Sequence, residues 1–169
     1  TEAAEFAYEA LIAEAALVTP NADEAAVLTD IEPDDEGSAR RAGEALVEMG
    51  ADAALIKGGH MPGDAVLDLL VTPDSVETAT HPRIDTDATH GSGCTLSSAV
   101  ATRLARGASM SEAVGRSVAF MERAVRYHHD SGTGPGAVHH LVGLRNEAAR
   151  EPTVDALEAA LDRLVGADI

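Results

Sequence analysis

The chain has 169 residues, enough for one domain and a piece of another; 45% are apolar but only 2% aromatic, so its core must be built from Ala, Val, Leu and Ile. Its formal net charge of −17, from 29 acids against 12 bases, argues against nucleic acid and anionic lipid as partners. It has no run of about 18 apolar residues that would predict a membrane-spanning helix. The acidic start, "TEAAEFAYEALIAEAALVTP", lacks the basic flank of a signal peptide, and a single cysteine cannot close an internal disulfide. Together these point to a reducing cytoplasm. The charge suits a halophile-like surface that stays hydrated in concentrated salt, where screening removes most self-repulsion. Eleven of the bases are arginines and one is a lysine, Lys57. A lysine retained where nearly all others are absent has to be accounted for.

The elements follow in chain order. The first residues read as a helix, with Phe6, Leu11 and Ile12 as its apolar positions and no cap before it. "AALVTPN" is a short apolar run stopped by Pro20, a buried strand. Asn21 opens a helix to about Leu28, and "DDEGSARRAGEALVEMG" is a second helix ending at Gly50. "ADAALIKGG" reads as another buried strand. "AVLDLLVTPDSVETATHPRI" gives two strands around Thr72-Pro73-Asp74-Ser75, a hairpin. The segment from Gly91 runs into a helix to Leu104, broken near Gly107. Ser109-Met110-Ser111-Glu112 is a capping box for the next helix, whose apolar face is Val114, Val118, Met121 and Val125. "HHDSGTGPGAVHHLVGLRNEAAREPT" reads as an exit from the domain, and "VDALEAALDRLVG" as an amphipathic helix with Leu157, Leu161 and Leu164 in line. Alternating strands and helices predict an α/β fold with a mainly parallel sheet, whose ligands lie beyond the carboxyl ends of the strands.

Three segments at such positions carry chemistry. In "THGSGCTLSSAV", a helix starting near Gly91 or Ser92 offers unpaired N–H groups and the positive end of its dipole to an anion. A close-packed strand-to-helix connection explains the same small residues. The loop is neither a P-loop nor a nucleophile elbow. Cys94 at the helix start faces a dipole that favours a thiolate, although a lone cysteine is also a common small core residue. Asn21-Ala22-Asp23-Glu24 is a capping box, and equally a pair of oxygens near a hydrated Mg²⁺. Lys57, at a strand end before Gly58-Gly59, can reach a phosphate as a point charge or lie in solvent. His128, His129, His139 and His140 lack zinc-like spacing.

In order and spacing, "LVTPNADEAAVLT", "ALIKGGHMPGDAVLDLL", "THGSGCTLSSAVATRLARG" and "GPGAVHHL" resemble the ribokinase superfamily. Within it they resemble the hydroxymethylpyrimidine/phosphomethylpyrimidine kinases of thiamine biosynthesis, over residues 16–141. Most sugar kinases of the superfamily carry Asp where Cys94 stands. The resemblance implies a ribokinase-like three-layer sandwich and a kinase that uses ATP and Mg²⁺. In it Asn21 and Glu24 would organise the metal and its waters, and Lys57 and Thr89 would lie at the nucleotide. Gly91, Ser92 and Gly93 would form the anion hole, with Ser92 in place of the more usual threonine. Cys94 would take the proton from the substrate hydroxyl, or from the phosphate in a second step. The family's substrate-binding strands precede the matching segments, so the resemblance implies that the N-terminal portion is missing and that the isolated chain phosphorylates poorly. Residues 1–144 would then be the ATP-side part of the kinase domain. Residues 145–169 would be a linker and helix, the start of a fused thiamine-phosphate synthase domain or a helix docked on the kinase. A homodimer is compatible with this reading. A pyridoxal kinase with Cys in the same loop, and a non-catalytic nucleotide-binding module, are its rivals.

Overall fold

The computed structural model describes residues 2–60, 65–128 and 136–144. The chain divides into two compact units, Thr1–Asp85 with Gly93–Ala119, and Thr86–Ser92 with Phe120–Ile169. The helix expected around Leu157, Leu161 and Leu164, and most of the exit segment, lie outside the described residues.

The first unit begins with helix α1, Glu2–Ile12. Ile12 enters the core while Leu11 stays exposed. Helix α2, Ala22–Thr29, starts where Asn21 and Glu24 bond each other's amides, a complete capping box worth about 1 kcal/mol. Helix α3, Glu36–Glu48, is capped in the same way by Asp35 with Ser38. Strands β1, Ala54–Ile56, β2, Ala65–Val71, and β3, Val76–Pro82, make a three-stranded sheet in that order. Between β1 and β2 lies a 3₁₀ turn, Gly58–His60. The β2–β3 hairpin turns at Thr72–Ser75 as the sequence predicts, closed by the Thr72 amide donating to Ser75 O at 2.9 Å.

The described sheet differs in one respect from the mainly parallel one expected. Both β1–β2 and β2–β3 pair antiparallel. The reason is connection length: residues 57–64 and 72–75 are too few for the crossover of a dozen or more residues that parallel neighbours need. Parallel pairing is confined to residues 18–21 against β1 and Lys57, through the Val18↔Ala54 and Asn21↔Lys57 bridges. The run "AALVTPN" thus lies beside β1 as expected, but as isolated bridges.

Ala25, Ala39, Ala42, Leu46, Ala54, Ile56, Leu69 and Val71 form the core on one face of the sheet. Burying a Leu or Ile side chain such as these contributes about 1.5–3 kcal/mol each. The alanines let α3 approach the sheet closely. Gly43 goes further: a Cβ there would lie 2.5 Å from Val71 Cγ2. On the other face Leu55, Val66 and Leu70 are also buried, so β1 and β2 are covered on both sides while β3 stays largely exposed.

Helix α4, Ser92–Ala105, ends at Gly107, whose φ of +88° closes the helix in the left-handed conformation. Ser109 Oγ accepts from the Glu112 amide and starts α5, Met110–Arg126. The predicted face of α5 is present: Val114, Val118 and Met121 are buried and Val125 partly so. In the second unit, His90 bridges Ala137 in parallel and the His139 amide donates to Ala124 O at 2.8 Å.

Candidate functional site

The carboxyl end of β1 sets the site. The Lys57 amide donates to Pro20 O at 2.9 Å, placing the lysine beside the start of α2. There Glu24 Oε2 accepts from the Asn21 amide at 2.8 Å and lies 3.8 Å from Lys57 Nζ. Asn21 Oδ1 accepts from the Glu24 amide at 2.8 Å, so the Asn21 oxygen serves the cap. The capping and metal readings of this pair therefore coexist unevenly: Asn21 holds the helix, and the half-exposed Glu24 carboxylate is the group free to face a hydrated cation. The Lys57 side chain is only 19% exposed, so this is not a strand-end lysine standing in solvent.

The first turn of α4 joins the same cluster. A Cβ on Gly93 would fall 3.2 Å from Lys57 Nζ. Glycine at 93 thus keeps open the space between the lysine amine and the helix start. Thr19 Oγ1 and Ser97 Oγ are 2.9 Å apart, and Ser97 Oγ donates to Gly93 O at 3.0 Å. These two bonds tie the strand end before Pro20 to the first turn of α4. Helix geometry leaves the amides of Gly93 and Cys94 without intrahelical acceptors. Cys94 is exposed.

The structure therefore brings Asn21, Glu24, Lys57 and Gly93 together in the first unit, with Cys94 next in the chain. Thr89, Gly91 and Ser92 belong to the second unit and lead into Gly93 by chain continuity. There the Ser92 amide donates to Thr89 O at 3.1 Å, so this amide is already engaged. Gly91 takes φ +80°, a conformation that disfavours any side chain, and has open space where a Cβ would point.

Three residues support the turn after Lys57, and two of them, Asp68 and Arg83, escaped the sequence reading. Asp68, on β2, is buried and accepts from the Gly58 amide at 2.9 Å. His81 Nε2 lies 3.4 Å from the other Asp68 oxygen. Arg83 Nη1 donates to Gly59 O at 2.7 Å. A signal existed for Asp68: it is the only charge in the seven-residue apolar strand "AVLDLLV".

A lysine, a glycine at a helix start and a carboxylate thus converge at the end of β1. The profile of the phosphomethylpyrimidine kinase family matches residues 1–139. The chain is similar to a hydroxymethylpyrimidine/phosphomethylpyrimidine kinase of Streptomyces coelicolor, 45% identical over 130 residues, which are 77% of this chain and 48% of that protein. It is similar to the thiamine biosynthesis bifunctional protein ThiED of Geobacter sulfurreducens, 40% identical over 134 residues, 79% of this chain and 27% of that protein. Among solved structures, the ADP complex of Bacillus subtilis pyridoxal kinase matches with a TM-score of 0.76 at 31% identity, over 81% of this chain and 54% of that one. The phosphomethylpyrimidine kinase of Clostridium difficile matches with a TM-score of 0.57 at 33% identity, over 68% and 45%. These neighbours bear out the ribokinase-like α/β fold. The chain spans about half the length of the curated kinases it matches, 48% and 51% for two of them. With the family profile covering all but the last thirty residues, the chain belongs to the phosphomethylpyrimidine kinase family.

Proposed function

We propose that the protein carrying this chain transfers the γ-phosphoryl group of ATP to the hydroxymethyl group of a pyrimidine, and then to the resulting phosphate. The observation that carries this reading is the convergence of Lys57, Gly93 and Glu24 at the end of β1. Phosphoryl transfer asks the protein mainly to position reactants and stabilise charge. Lys57 would meet the phosphates as a point charge. The amides of Gly93 and Cys94 would face the transferred group. Cys94, exposed on the first turn of α4, would accept the proton from the attacking oxygen. Glu24 fits an outer-sphere role toward Mg²⁺, since its carboxylate is half-exposed and bonded through one oxygen only. When bound, the metal would neutralise charge on the β- and γ-phosphates.

One observation favours a second acceptor, pyridoxal: the pyridoxal kinase structure superposes better, TM-score 0.76 against 0.57. The 45% identity to a pyrimidine kinase supports the pyrimidine as the main substrate. The test is a steady-state assay of the full-length protein with ATP and Mg²⁺, offering hydroxymethylpyrimidine, its monophosphate and pyridoxal separately. Higher kcat/KM on the two pyrimidines is expected. Turnover of pyridoxal alone would replace the pyrimidine reading. ATP binding without turnover of any of the three would make the chain a nucleotide-binding module.

A further inference from the structure

Asp68 stands out because nothing about the sheet requires it. It lies on β2 with 6% of its surface exposed, between Leu67 and Leu69. A buried carboxylate is costly unless its oxygens are used, and an apolar residue of the same size is often no less stable there. Both oxygens of Asp68 face partners: Oδ1 the Gly58 amide at 2.9 Å, Oδ2 the imidazole of His81 at 3.4 Å.

The Gly58 amide belongs to the peptide plane that follows Lys57, so fixing it fixes ψ of Lys57. On the other side the Lys57 amide is held by Pro20 O at 2.9 Å. Both backbone torsions of the lysine are therefore tied, one by the strand ladder and one by a side chain. The turn cannot yield elsewhere. A Cβ on Gly58 would lie 2.1 Å from Leu67 O, so the turn is pressed against the backbone of β2. Arg83 Nη1 holds the next carbonyl, Gly59 O, at 2.7 Å.

We propose that Asp68 is a positioning residue: by accepting from the Gly58 amide it aims the Lys57 side chain at the phosphate cradle. This rests on the kinase reading for the identity of the phosphate, but not for the aiming itself. Two variants separate the possibilities in the full-length protein. Asp68→Leu keeps the branched outline, though it is bulkier, and removes the acceptor; Asp68→Asn keeps both size and acceptor. Two readouts are needed. One is the rate of amine acylation at Lys57, read by mass spectrometry on its peptide, which requires no catalysis. The other is steady-state kinetics. In Asp68→Leu the Lys57 acylation rate is expected to change severalfold. Its kcat/KM for ATP should fall roughly 10- to 100-fold, the scale of a misplaced catalytic group, with KM for the acceptor unchanged. Asp68→Asn should recover most of both. A folded Asp68→Leu protein with wild-type Lys57 reactivity overturns the assignment, and so does an Asp68→Asn protein as impaired as Asp68→Leu. A changed Lys57 reactivity without any effect on ATP would uphold the aiming and count against the kinase reading. If Asp68→Leu does not fold, hydrogen exchange in the unmodified protein decides. A strongly protected Gly58 amide supports the anchor, and a rapidly exchanging one overturns it.

Discussion

Gly93 and Lys57 meet so closely that a Cβ at position 93 would stand 3.2 Å from Nζ, tighter than ordinary contact, so the amine would have to shift by a few tenths of an ångström. Alanine at this position should therefore separate binding from stability. It is a better helix former than glycine by up to about 1 kcal/mol, so Gly93→Ala should melt no lower than the parent. The amine, at the end of a long side chain, would be pushed back from the cradle. KM for ATP should rise about tenfold, equivalent to about 1.4 kcal/mol. Thermal melts and ATP titrations on the same preparation check both halves.

In the proposed reaction Cys94 would handle a proton, and ATP binding should not depend on it. Cys94→Ala is expected to lower kcat by roughly 10²- to 10⁴-fold, the range of general-base contributions. ATP affinity, measured by calorimetry, should persist. Unchanged turnover would remove Cys94 from the reaction.

Asp35 gives a pH dependence. Hydrogen bonds from the Ser38 amide and hydroxyl, outweighing a small desolvation effect, hold its carboxyl below the ordinary value of 3.8. A carboxyl depressed in the folded state stabilises it at any pH above the ordinary value, and that contribution disappears as pH falls through the lower, folded value. Asp35→Ala should therefore melt below the parent at neutral pH. The gap should narrow as the pH drops under 3.8. Melting curves across that range measure it.

The α3–β2 contact predicts a compensating pair. Gly43→Ala places a methyl 2.5 Å from Val71 Cγ2 and should destabilise by about 1–3 kcal/mol through overpacking. Val71→Ala opens a gap on the other side of the same contact. The double variant should lose less than the sum of the two, because neighbours that share a contact are not additive. Denaturant unfolding of the four proteins completes the cycle.

The local features of this fold could be read in the sequence because their causes are local. Asn21 and Glu24 lie three residues apart, and Thr72–Ser75 is a turn by composition. Gly107 stops a helix for the reason glycine always can. The direction of β2 against β1 was legible too, in the shortness of the segment after Lys57, but the alternation of strands and helices outweighed it. Asp68 could be seen as an oddity and no more. Its partner amide is ten residues away, and only the pairing of β1 with β2 brings the two together. The same holds for Thr19 and Ser97, 78 positions apart, whose meeting sets the helix start against the strand end.

The 3.8 Å contact between Glu24 and Lys57 has a thermodynamic consequence. Long, and exposed on the Glu24 side, it is a weakly held ion pair that gives the lysine an anion of its own. On the proposed kinase reading, an arriving phosphate would compete with Glu24 for the amine. The carboxylate would then carry unbalanced charge beside a bound polyanion, an environment that would favour a divalent cation. Nucleotide and metal would then each strengthen the other's binding, by one and the same factor. On that reading the pair would act as a placeholder that trades one partner for two.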